Sequence, residues 1–101
     1  MTSDFIKNKN YNTYYRIYGN LRNKWEIPLI MIHGGPGQTS EYWKTIATTQ
    51  SKYLGPVIIY DQIGCGKSTS KIPVKKLTLN MHTNQLIQLI KELKLDKVHI
   101  M

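Results

Sequence analysis

Two stretches constrain this chain more than any other: "IPLIMIHGG" (Ile27 to Gly35) and "PVIIYDQIG" (Pro56 to Gly64). Each is a continuous apolar run that ends in glycine. Runs of this kind are strands buried on both faces, and such strands need helices above and below them. Between them, "SEYWKTIATTQSKYLG" reads as a helix, with Ser40 predicted as its N-cap, a stripe of Trp43, Ile46 and Ala47, and Gly55 as its stop. Upstream, "YNTYYRIYGN" is rich in β-formers and closes on the turn signal Gly19-Asn20. "DFIK" supplies a short partner strand across an "NKN" turn. Downstream, His82, Leu86, Leu89, Ile90 and Leu93 recur at i, i+4, i+7, i+8 and i+11, one face of an amphipathic helix. "KVHIM" then resumes a strand pattern.

The predicted order is a β-hairpin followed by β-α-β-α-β. That alternation defines an α/β class with a mostly parallel sheet covered by helices. At 101 residues the chain has room for one small domain, and no repeat, low-complexity tract or linker divides it.

Composition narrows the function classes. The single cysteine, Cys65, excludes a disulfide framework and a cysteine-rich zinc site, so neither a metal nor a cofactor is expected. "MTSDFIKNKN" has no apolar core of a signal peptide, and no apolar run has the length to cross a bilayer. A reducing, cytoplasmic setting without membrane partners is the expectation. The formal charge of +8 raises nucleic-acid binding. Lysine supplies 12 of the 14 cations, however, and they are spread along the chain, with "KIPVKK" the densest group. A solvated lysine-rich surface is the better reading, and no nucleic-acid partner is expected.

Two short motifs are decoys. Gly66-Lys67-Ser68 has the tail of a phosphate-binding P-loop, but the position five residues before Gly66 is Asp61, a carboxylate where the motif requires glycine. Pro73 also breaks any helix started at Ser68. Ser68 lies in G-x-S-x-S, whereas a nucleophile elbow needs glycine where Ser70 stands. Ser68 is therefore read as a loop or capping hydroxyl.

The chemistry-bearing segment is His33-Gly34-Gly35-Pro36-Gly37. Glycines at the end of a buried strand let the backbone turn sharply and leave N–H groups uncovered. Two such groups converging on a developing alkoxide form an oxyanion hole, and a strand-to-helix loop of this kind provides one donor in α/β-hydrolases.

"HGGPG" followed by "YDQIGCGKS" resembles the proline iminopeptidases, serine peptidases of the α/β-hydrolase fold. Asp61, Gln62, Gly64, Cys65, Gly66 and Ser68 match the segment that follows the fourth strand in that family. Related hydrolases usually carry an arginine near the Gln62 position. The resemblance covers essentially the whole chain. It implies that the backbone N–H of Gly35 is the oxyanion donor, that Gly34, Pro36 and Gly37 shape the loop, and that His33 steadies it by hydrogen bonding and is not the catalytic histidine. The implied substrate is a peptide with an N-terminal proline.

In this family Ser, Asp and His follow in that order, with the serine after the fifth strand. Val98-His99-Ile100-Met101 looks like that strand, so the resemblance implies the N-terminal part of one α/β-hydrolase domain, residues 1–101, ending before the nucleophile elbow. Such a chain lacks the triad and is expected to be inactive alone. Its fifth strand is an expected open edge, prone to association, and a C-terminal half is its natural partner. Two other readings remain open: a fragment of another α/β-hydrolase, such as an esterase or amidase, and an interaction module that complements a separate C-terminal half.

Overall fold

The computed structural model describes residues 1–22, 25–34 and 38–101. Strands β1 (Thr2–Lys7) and β2 (Asn12–Tyr18) form the hairpin, followed by β3 (Leu29–Ile32), a 3-10 turn (Ser40–Trp43), α1 (Lys44–Tyr53) and β4 (Val57–Tyr60). A short 3-10 turn (Val74–Lys76), α2 (Leu79–Glu92) and β5 (His99–Ile100) complete the described elements. The five strands lie in the order β1-β2-β4-β3-β5. β3 is parallel to both β4 and β5, while β1/β2 and β2/β4 are antiparallel, so the sheet is mixed.

The continuous apolar runs divide by parity. Ile30, Ile58 and Tyr60 point to one face, where they pack with Ile6, Leu89 and the α2 stripe of Leu86, Ile90 and Leu93. Met31, Val57 and Ile59 point to the other face and pack with Tyr18, Ala47 and Trp43. A strand with a helix on each side must be apolar at every position, which is why no polar alternation shows. Ile30, Ile58 and Ile59 are fully buried, each contributing about 1.5–3 kcal/mol of transfer free energy. The chain steps one way across the sheet from β3 to β4 and the other way from β4 to β5. Right-handed crossovers in opposite directions put their helices on opposite faces, as the two clusters require.

The predicted single helix from Ser40 to Gly55 begins instead as a 3-10 turn that passes into α1 at Lys44. Its N-cap is Thr39, whose Oγ1 accepts the Glu41 N–H at 3.2 Å. Ser40 is not the cap because its hydroxyl is committed elsewhere. Within the predicted stripe Ala47 is buried, whereas Ile46 is 42% exposed. Beyond α1, Gly55 sits at φ +105°, and a Cβ there would lie 2.6 Å from Glu26 Oε2. Helix α2 is capped by Thr78, whose side chain accepts the Met81 N–H at 3.2 Å.

Candidate active site

The site lies at the C-terminal ends of β3 and β4. These strands pair in parallel with Ile32 opposite Tyr60, so His33 and the Asp61-Gln62 pair emerge side by side. In open α/β sheets this end is where ligands bind.

His33 and Gln62 grip each other twice. The Gln62 backbone N–H donates to His33 Nε2 at 3.0 Å, and the Gln62 side-chain amide donates to the His33 carbonyl. An Nε2 that accepts leaves the ring proton on Nδ1, which faces the Gly34 carbonyl at 3.1 Å. The imidazole is 2% exposed and occupied on both sides. It fixes the backbone as it leaves β3. Of the predicted loop, Gly34 is described, and Gly35, Pro36 and Gly37, including the expected oxyanion donor Gly35 N–H, lie outside the described residues.

Asp61 is the hub of the second loop. Its Oδ1 accepts from both the backbone N–H and the hydroxyl of Ser40, each at 2.7 Å. Its Oδ2 accepts the Lys67 N–H at 2.9 Å. One buried carboxylate thus closes the start of the 3-10 turn, where unpaired N–H groups and the helix dipole favour an anion, and also closes the loop after β4. The P-loop resemblance has a physical explanation here. An N–H of the Gly66-Lys67-Ser68 segment does turn inward to an anion, and that anion is the chain's own Asp61.

The loop between them is two consecutive turns: Cys65 N–H donates to the Gln62 carbonyl and Ser68 N–H to the Cys65 carbonyl, each at 2.9 Å. Gly64 and Gly66 take φ of +75° and +52°. A side chain at Gly66 is barred twice over, by that conformation and because its Cβ would collide with Asp61 Oδ2. Cys65 is a half-buried free thiol on this turn. Ser68 is 1% exposed. Its hydroxyl donates to the Asp61 carbonyl at 2.6 Å and accepts the Tyr14 N–H at 2.8 Å, which joins the loop to β2. With its proton committed to Asp61 and the side chain buried, this hydroxyl is not presented to a substrate.

Two contacts escaped the sequence reading. Ser40, read there as a helix cap, is instead a partner of Asp61. The other is Gln85, 1% exposed on α2. Its amide donates to Thr13 Oγ1 at 2.9 Å and to the Asp61 carbonyl at 3.2 Å, while its Oε1 accepts the Ile63 N–H at 3.1 Å. A polar residue between His82 and Leu89 on an otherwise apolar face was its signal. Nearby, Arg16 donates to Glu41 at 3.2 Å, and that hydrogen bond holds the Glu41 carboxyl below its ordinary range. The pair anchors the 3-10 turn to β2.

The strand order, the helices on both faces and the two glycine-rich loops at one end of the parallel strands are those of the α/β-hydrolases. An alpha/beta hydrolase fold protein from Burkholderia ambifaria superposes over 96% of this chain and 33% of its own, with a TM-score of 0.75 at 21% identity. No family model matches the sequence. Within that fold, the chain's resemblance is to the proline iminopeptidases. A curated proline iminopeptidase of Clostridioides difficile is 35% identical over all 101 residues, which is 34% of the relative's length. The crystal structure of a proline iminopeptidase from Mycobacterium smegmatis matches 98% of this chain and 34% of its own, with a TM-score of 0.80 at 26% identity. The chain therefore spans about a third of the length of the curated relatives it matches.

Proposed function

We propose that residues 1–101 form the N-terminal part of a single α/β-hydrolase domain whose activity is that of a proline iminopeptidase. In this reading the Gly35 N–H is one of two oxyanion donors, with the second following a nucleophilic serine in the part of the domain that this chain does not span. The serine oxygen attacks the carbonyl carbon of an N-terminal proline, and a histidine takes its proton. The negative oxygen of the tetrahedral intermediate is held by the two N–H groups. The histidine then protonates the departing amine, and water releases proline from the acyl-enzyme. This chain supplies only the oxyanion loop and its supports, so it hydrolyses nothing measurable by itself.

The observation that supports the reading is the double His33–Gln62 grip, in which Gln62 donates twice and which fixes the direction in which the chain leaves β3. An oxyanion donor acts only if it is positioned before the charge develops. Asp61, Gly64, Cys65, Gly66 and Ser68 serve in the same reading as the rigid second wall.

The test grafts residues 1–101 in place of the aligned third of the Clostridioides difficile relative. The chimera is expected to hydrolyse proline p-nitroanilide in preference to the alanine and leucine analogues, with the 101-residue chain alone at the buffer rate. A folded chimera that cleaves p-nitrophenyl esters but no prolyl anilide would assign the site to an esterase instead. A second reading, association with a separate C-terminal half, has its own support. Among the described residues β5 pairs with β3, and Ile100 within it and Met101 after it are each 54% exposed. Co-expression with the remaining two thirds of the relative as a separate chain tests it. Recovery of prolyl activity is expected, and failure to co-purify would refute it.

A further inference from the structure

The hairpin tip forms a second concavity at the same end of the sheet. With Lys7 opposite Asn12, and Tyr15 opposite Tyr60, the register carries the tip to the C-terminal ends of β3 and β4. Residues distant in sequence pin it there. Asn12 N–H donates to the Thr69 carbonyl at 3.0 Å, Lys71 N–H donates to the Asn10 carbonyl at 2.9 Å, and Tyr11 bridges Ser70. The result gathers Lys7, Lys9 and Lys71 around a pocket of about 340 Å³ that buried Tyr11 also lines.

No acidic residue lines this pocket. Lys7, Lys9 and Lys71 are exposed, and the residues that line the concavity beside them are Asn, Tyr, Thr and Ser. Asp61, at the same end of the sheet, has both oxygens engaged by Ser40 and Lys67. Three exposed lysines on a pinned backbone give the rim of the concavity a positive potential. An anionic oxygen group is what this arrangement accepts.

We propose that the pocket binds the C-terminal carboxylate of the peptide from which proline is removed. This rests on the iminopeptidase reading. In the order β1-β2-β4-β3, three strand spacings separate the loop after β3 from β1, which carries Lys7, roughly 14 Å at ~4.8 Å each. An extended peptide crosses that distance in about four residues. A pentapeptide therefore reaches from the scissile bond to the lysines, and a dipeptide does not.

The experiment titrates the 101-residue chain with Pro-Ala-Ala-Ala-Ala as the free acid, with its C-terminal amide, and with inorganic phosphate, following the backbone amide resonances of residues 8–12 and 69–71. The free acid is expected to bind about tenfold more tightly than the amide, as three exposed charge pairs allow. That preference is expected to shrink with added salt and to vanish in the K7Q/K9Q/K71Q variant. Equal binding of acid and amide, or no binding, overturns the proposal. Shifts with phosphate but not with the peptide acid make this a free-anion pocket and overturn the substrate assignment. If the chimera cleaves no prolyl anilide while the acid still binds selectively, the iminopeptidase reading falls and the carboxylate pocket stands without its assigned substrate.

Discussion

Replacing Asp61 with asparagine tests whether this carboxylate organises both loops. The change keeps the shape and removes the charge. With its carbonyl oxygen toward Ser40, the introduced amide still accepts the two bonds that Oδ1 accepts at 2.7 Å. A hydrogen bond to an ionised acceptor contributes about 1.5–3 kcal/mol and a neutral one about 0.5–1.5, so each loses about 1 kcal/mol. The side-chain NH₂ then faces the Lys67 N–H, which bonds to Oδ2 at 2.9 Å in the native chain, and two donors meet at a cost of about 1–3 kcal/mol. Part of this is offset because no charge has to be taken out of water. The net loss is about 2–4 kcal/mol. Urea unfolding followed by tryptophan fluorescence reads it as a midpoint lowered by about 1–2 M. The Lys67 amide should exchange with solvent faster by a factor on the order of 30–700, since each 1.4 kcal/mol is tenfold. Asp61→Ala, which leaves three donors without an acceptor, should be worse. An Asp61→Asn variant with an unchanged midpoint and an unchanged Lys67 exchange rate refutes the assignment of Asp61 as the hub.

Gly66→Ala should destabilise by about 1–3 kcal/mol from its left-handed backbone and its collision with Asp61 Oδ2, and a shift under ~0.3 kcal/mol in the same urea titration would contradict it. Gln85→Leu leaves Thr13 Oγ1 and the Ile63 N–H buried without their partner, costing about 2–4 kcal/mol, and an unchanged urea midpoint would argue against the hydrogen bonds. Burial pushes the Tyr60 hydroxyl up to about 12 from 10.0. The unfolded chain therefore releases this proton first as pH rises, so stability is complete below pH 10 and falls by about 1.4 kcal/mol per unit between 10 and 12. Tyr60→Phe should flatten that limb, and an alkaline titration at 295 nm that shows all tyrosines ionising together near 10 would contradict it.

Much of the architecture was legible without coordinates because it depends on local chemistry. A short unbroken apolar run ended by glycine suits a strand with cover on both faces, and two of them flanking a helical pattern suit a parallel pair with a crossover. The hairpin was legible from β-branched and aromatic residues around an asparagine-rich turn. The family resemblance also set His33 and Gly34 after the third strand and Asp61, Gln62, Gly64, Cys65, Gly66 and Ser68 after the fourth, and the parallel pairing of β3 with β4 brings the two segments to one end of the sheet.

What the sequence could not decide is which polar group meets which. Ser40 and Thr39 are both competent caps, and only the approach of Asp61 from a strand 21 residues away draws Ser40 off and leaves the capping to Thr39. Gln85 on its own is one polar residue on an apolar helix face. It becomes a buried cross-link only where α2 passes over Thr13 and Ile63. The grouping of Lys7, Lys9 and Lys71 likewise depends on the hairpin tip meeting the loop after β4. Periodicity and turn chemistry act over a few neighbouring residues and are written locally. Hydrogen-bond partners and charge clusters span distant segments, and packing alone selects them.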